Sequence, residues 1–153
     1  MKACTLAALT GAGLLALSAC DSDDVVGVIN VEEYTGLVQG LNASAADGVV
    51  DIRLDEVEND FEVSVEVGGL DPNIVHVQHM HADATCPTSA DDANGDGFVD
   101  VIEGLPSYGG ILLPLDSDLT DQAAGTSPSA DNTGLVDYNQ AAAFDDVISS
   151  LRP

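Results

Sequence analysis

Twelve residues from Asp92 to Glu103 carry oxygen donors at the spacing a hard cation requires. Asp92, Asn94 and Asp96 stand at positions 1, 3 and 5, Gly97 at 6, Phe98 at 7, Asp100 at 9 and Glu103 at 12. Oxygens two residues apart converge on one point when the chain turns sharply, and a glycine at position 6 permits the turn. In such a loop Phe98 offers its backbone carbonyl. Asp100 acts through a water, and Glu103 closes the loop with both carboxylate oxygens. An all-oxygen set suits Ca²⁺ and not a soft metal. The competing explanation is an acidic turn matching by chance, expected on the order of 0.003 times in a chain of this composition.

A second cluster lies just upstream. All three histidines fall in His76-Val-Gln-His79-Met-His81. Strand alternation puts His79 and His81 on one face, with Asp83 next in phase and Met80 turned to the core. Two imidazoles so spaced can chelate one copper or zinc ion, with Asp83 adding an oxygen and His76 nearby. A purely structural, hydrogen-bonded histidine cluster fits the same residues. A serine-hydrolase triad is not supported, because no G-x-S-x-G motif occurs.

Short strands must position these residues. Phe61, Val63, Val65 and Val67 alternate strictly with Glu62, Ser64 and Glu66, the pattern of a half-buried antiparallel strand. Tyr34 to Leu41 and Val49 to Leu54 repeat it more loosely. Asp47-Gly48 and Glu58-Asn59-Asp60 are predicted hairpin connections. Gly69-Leu70-Asp71-Pro72-Asn73 is a turn, and Ile74 to His81 a further strand. No helix is expected before the acidic loop, since Cys86-Pro87 sits close by, and only one turn after it, from Val99 to Gly104. Ile111 to Leu115 and Gly134 to Gln140 are further strand candidates, separated by a polar loop from Ser117 to Thr133. Phe144, Val147, Ile148 and Leu151 follow i, i+3, i+4, i+7, which predicts a helix from Ala143 to Leu151. The fold class is therefore mainly β: an antiparallel β-sandwich with a short C-terminal helix. One domain covers 31–153, with the acidic loop in an insertion at 86–110.

Charge narrows the partners. The 153 residues hold 27 acids and 3 bases, for a net charge of -24. Nothing basic is available to neutralise phosphates, so nucleic-acid binding is excluded, as is a polybasic membrane patch. Such a surface repels itself unless salt screens it or cations bind. A saline habitat and bound divalent cations both answer that demand.

The first residues read as an address. Lys2 precedes an apolar run from Leu6 to Leu17 that is too short for a mature membrane span. The segment ends Leu17-Ser18-Ala19-Cys20, which resembles the lipobox of bacterial lipoproteins. That resemblance implies a signal peptide at 1–19, cleavage after Ala19 and acylation of Cys20. An acidic tether through Asp21-Ser22-Asp23-Asp24 would fill 20–30. The lipid would hold the protein to a membrane at the cell envelope, on the periplasmic or cell-surface side. Asp21 after the cysteine resembles an inner-membrane retention signal, and which membrane stays open. With Cys4 in the signal and Cys20 lipidated, Cys86 is the one cysteine left in the mature chain.

Gly69-Leu70-Asp71-Pro72-Asn73 followed by H-x-x-H-x-H resembles the turn and histidine strand of copper/zinc superoxide dismutases. It is also similar to the His-x-His strand of chordin-type (CHRD) domains. The resemblance implies a Greek-key sandwich, with His79 and His81 as copper ligands and His76 beside them. The dismutases use further histidines downstream and pair an early cysteine with a late one. This chain has no histidine after His81, so the resemblance implies either a degenerate member or a chain that continues beyond Pro153 with a closing strand carrying a histidine and a cysteine. The acidic loop itself resembles the calcium loops of EF-hand and dockerin-like modules. The leading expectation is a lipid-anchored, calcium-binding envelope protein with a non-catalytic binding or structural role. The alternatives are a copper-binding dismutase-like enzyme and a periplasmic metal or copper carrier.

Overall fold

The computed structural model describes residues 30–83, 85–123 and 125–152. The signal segment, Cys20 and most of the tether lie outside the described residues. Among the described residues there are six strands and two α-helices, and the fold is mainly β. Strands β1 (Val31–Gln39), β2 (Asp47–Asp55) and β3 (Asp60–Gly68) form an antiparallel meander. Strand β6 (Val136–Ala143) returns to pair antiparallel with β3, giving a four-stranded sheet in the order β1-β2-β3-β6. Strands β4 (His79–His81) and β5 (Ile111–Pro114) form a separate two-stranded ladder. A 3₁₀ turn at Ser89–Asp91 and helix α1 (Val101–Tyr108) lie between β4 and β5. Helix α2 (Phe144–Leu151) follows β6 directly.

The alternation seen in β3 is realised. Phe61, Val63, Val65 and Val67 are buried, and Glu62 and Glu66 are exposed. The inward face of β3 meets Leu113 of β5, Leu115, Leu119 and Ala130 of the following loop, Val136 and Tyr138 of β6, and Val147 of α2. A period-two face on one layer thus packs against a mixed layer of ladder, loop and helix. The core has no tryptophan to fill it. Its largest fully buried side chain is Phe61.

Two long-range ties fix the layers. Ala143 at the N-cap of α2 has no side-chain oxygen to offer the helix. Asn59, in the β2–β3 turn with φ 54°, supplies the caps instead: its carbonyl accepts from Phe144 N at 3.1 Å and its side-chain Oδ1 from Asp145 N at 2.9 Å. At the same hairpin Arg53 bonds both Asp55 and Asp60. Asp55, 3% exposed, accepts from Glu58 N and Val57 N, and the Glu58 amide leads the effects that hold its carboxyl below the usual range.

The strand expected from Ile74 to His81 is shorter than its pattern. Only His79–His81 pairs as a strand, and upstream there is a single bridge between Val75 and Ser129. The partner, β5, runs for four residues, so Val75 and Val77 find no second layer and stay exposed. Among the described residues no helix is long and apolar enough to cross a membrane.

Candidate metal site

The acidic loop begins and ends in helical turns. Thr88 and Asp91 form a capping box on the 3₁₀ turn before it, and Asp100 and Glu103 form a second on α1 after it. The helix after the loop is two turns and not one. It survives Gly104 and Pro106, both poor helix formers, because its cap is complete and its far end is packed. Gly104 is buried, and a Cβ there would lie 2.6 Å from the Tyr108 ring and 3.3 Å from Pro87. An apolar side chain in its place would push Tyr108 off the helix. Ser107 donates to Asp91 at 3.1 Å, clipping the entry turn to the exit helix.

Within the loop the backbone amides turn inward onto the acids. Asp92 accepts from Gly95, Asp96 and Gly97 N–H groups at 2.8, 3.2 and 2.8 Å. Asn94 accepts from Asp96 N and Asp96 from Phe98 N. Glu103 reaches back to Ala93 N and Asn94 N with one oxygen and to Asp100 N with the other. Gly95 and Gly97 take φ of 75° and 89°, which is the sharp turn the spacing demands. Asn42, in the β1–β2 turn, grips Val99 from both sides, donating to its carbonyl at 2.9 Å and accepting from its N–H at 2.8 Å. Val99 is buried, so the end of the loop is anchored to the sheet. Nothing in the sequence marks Asn42 beyond its place in a turn.

Helix α1 leads from the loop to the histidines. Its last residue, Tyr108, packs its ring 4.4 Å from that of His81. Backbone bonds from Ala82 N to Gly110 O and from Asp83 N to Tyr108 O zip the two segments together. The loop's last acid, Glu103, and the histidine strand are thus joined by one short helical strut.

The histidines divide into a pair and a singleton. His79 and His81 present their rings edge to face at 5.8 Å. His81 Nδ1 lies 3.1 Å from the Gly109 carbonyl, and a carbonyl only accepts, so Nδ1 carries a proton and the neutral ring has its lone pair on Nε2. His76 is turned elsewhere, with Nε2 donating to Asp71 O at 2.9 Å. Asp83 is exposed and sits against Gly109. The acid that acts on His79 is Asp116, 6% exposed, which sequence reasoning passed over as one acid among many. Asp116 accepts from Asp118 N through its carboxylate and from the Tyr138 hydroxyl through its carbonyl. Among the described residues no three His, Cys, Asp or Glu side chains stand together as a ready metal cage.

Burial holds the His79 imidazole below its ordinary value of 6.5. The neighbouring His81 pushes it the same way, and Asp116 opposes both. Burial first, then the Asp116 charge, raises the Tyr138 phenol. A base whose folded value is depressed binds protons more readily when unfolded. His79 therefore contributes stability that is present above pH 6.5 and lost as pH falls from there through its folded value. Replacing His79→Gln is expected to flatten that part of the stability-versus-pH curve. Chemical denaturation at a series of pH values checks it, and an unchanged slope counts against a half-buried, neutral His79.

Comparison with protein-family models, with curated proteins and with solved structures returned no match.

Proposed function

We propose that the chain is a lipid-anchored, extracytoplasmic protein whose β domain binds Ca²⁺ and serves a binding or structural role without catalysis. Its domain is then a Greek-key sandwich of the superoxide dismutase-like or CHRD-like type, with the calcium loop inserted between β4 and β5. The observation that supports calcium is the amide cage of the loop, in which backbone N–H groups hold Asp92, Asn94, Asp96 and Glu103. Asp92 Oδ2, Asp96 Oδ1 and Glu103 Oε2 each accept a single such bond and keep a further lone pair. The donor set, Asp92, Asn94, Asp96, the Phe98 carbonyl, Asp100 and Glu103, is all oxygen and fits a hard cation. These side chains must draw inward to ligate, because no three of them are yet gathered as a cage. Bound Ca²⁺ supplies positive charge to a chain of net charge -24. Anchoring rests on the lipobox-like segment ending at Cys20.

Equilibrium dialysis against radioactive calcium tests the reading. One ion per chain is expected for the wild type and none for Asp92→Ala; a wild type that binds nothing removes it. Labelled palmitate is expected to enter the wild type in a bacterial host and not Cys20→Ser.

The free Nε2 of His81, with His79 beside it, favours a second reading as a copper carrier or dismutase-like oxidoreductase. Metal analysis of protein taken from its native envelope separates the two: copper supports this reading, and calcium alone sinks it.

A further inference from the structure

Among the described residues, the second layer covers only half of the large sheet. Over β3 and the first half of β6 the inward side chains are buried. Over β1 and β2 the inward residues Val50, Ile52 and Leu54 remain half-buried. The result is an apolar cleft of about 370 Å³, floored by Gly36, Val50, Ile52 and Leu54 and walled by Met80 of β4 and Leu151 of α2. Its volume falls within the range of small-molecule sites, which are concave and mostly apolar with a few polar groups.

Gly36 makes the cleft. It lies in the middle of a nine-residue strand, facing inward opposite Val50, where a side chain would ordinarily fill the layer. A Cβ built there meets nothing within 4 Å. A glycine inside a strand weakens it and often marks a place where something else approaches the backbone.

The cleft itself holds no charge, but acids adjoin it. Tyr34, which lines the cleft, donates its hydroxyl to Glu32 at 2.6 Å, and alternation places Glu32 on the same inward face. Next to it, an adjoining recess carries Glu56 with Arg152. Two carboxylates against one guanidinium, on a chain of net charge -24, repel an anionic head and attract a cationic one.

We propose that this cleft binds a small amphiphilic cation, an organic amine whose apolar body lies over Gly36 and Ile52 and whose ammonium group faces Glu32. Calorimetric titration of the full chain with dodecyltrimethylammonium, below its micelle concentration, tests this. Salt at about 0.5 M screens general surface attraction. One molecule per chain is expected to bind, and dodecyl sulfate not to bind.

Gly36→Val is expected to weaken binding by about tenfold, since each methylene kept off an apolar surface forfeits roughly a factor of four. Its melting temperature should hold or rise, because valine suits a strand and the added carbons enter open space. Glu32→Gln is expected to weaken the cation about threefold while leaving the neutral dodecanol unaffected, a surface carboxylate contributing little more than that. Equal binding to wild type and Gly36→Val overturns the proposal, as does equal binding of dodecyl sulfate. A dimer by sedimentation that dissociates in Gly36→Val also overturns it, because a second copy then occupies the cleft.

Discussion

Calcium added to chelator-treated protein is expected to raise the melting temperature by roughly 10 °C. The figure follows from linkage. A ligand at about a hundred times its dissociation constant contributes about 2.7 kcal/mol, and each kcal/mol moves a domain of this size by several degrees. The route is mechanical as well as electrostatic. Drawing Asp92, Asp96 and Glu103 onto one ion tightens the loop that Asn42 pins to the sheet. It also fixes the start of α1, whose other end rests on His81. Glu103→Gln isolates the calcium-dependent part. The glutamine carbonyl still accepts from Ala93 N and Asn94 N, as Glu103 Oε1 does, and only the exposed bond from Asp100 N is lost, so the metal-free protein should lose about 1 kcal/mol. Its calcium increment should vanish. Magnesium serves as the control for simple neutralisation of the acidic surface, since it dehydrates reluctantly and tolerates such loops poorly. Superimposable melts in calcium and in chelator would sink the calcium reading outright.

What the sequence disclosed, it disclosed through local periodicity. Strand β3 is legible because each side chain from Phe61 to Val67 alternates between core and water, and the structure buries the same four residues. Helix α2 is legible for the same reason at period 3.6, with Phe144 and Val147 buried. The acidic loop is legible because its donors are contiguous. Where partners lie far apart in the chain, the pattern is silent. Nothing near Ala143 announces that Asn59 caps α2, and nothing near Val99 announces Asn42. Asp116 looks like any other acid until the fold buries it near His79 and Tyr138. From Ile74 the pattern outruns the strand, because Val75 and Val77 keep the apolar rhythm while their partner strand stops short. Helix α1 outruns its pattern, because propensity penalises Gly104 and Pro106 whereas the capping box and Tyr108 decide the outcome.

The sheet's open half also changes what single core residues must carry. With β1 and β2 only half covered, cohesion concentrates on the β3–β6 side, and there on Phe61. Its ring is fully buried, it pairs across the ladders with Leu54 and Ala142, and Val147 of α2 belongs to the same cluster. Phe61→Ala is expected to cost about 3–5 kcal/mol, the transfer of a phenyl ring plus the cavity it leaves. Domains of this size have about 5–15 kcal/mol in total. A chain with net charge -24 spends part of that on self-repulsion, so the variant should need salt or calcium to fold at all. Phe98→Ala is the matched control. The same ring is removed, but it is 56% exposed and the loop uses only its backbone, so the change should stay within about 0.5 kcal/mol. Urea unfolding of both variants in saline buffer reads the difference directly. If Phe61→Ala loses no more than Phe98→Ala, the core is not centred on β3, and the contrast between a closed and an open half of the sheet falls with it.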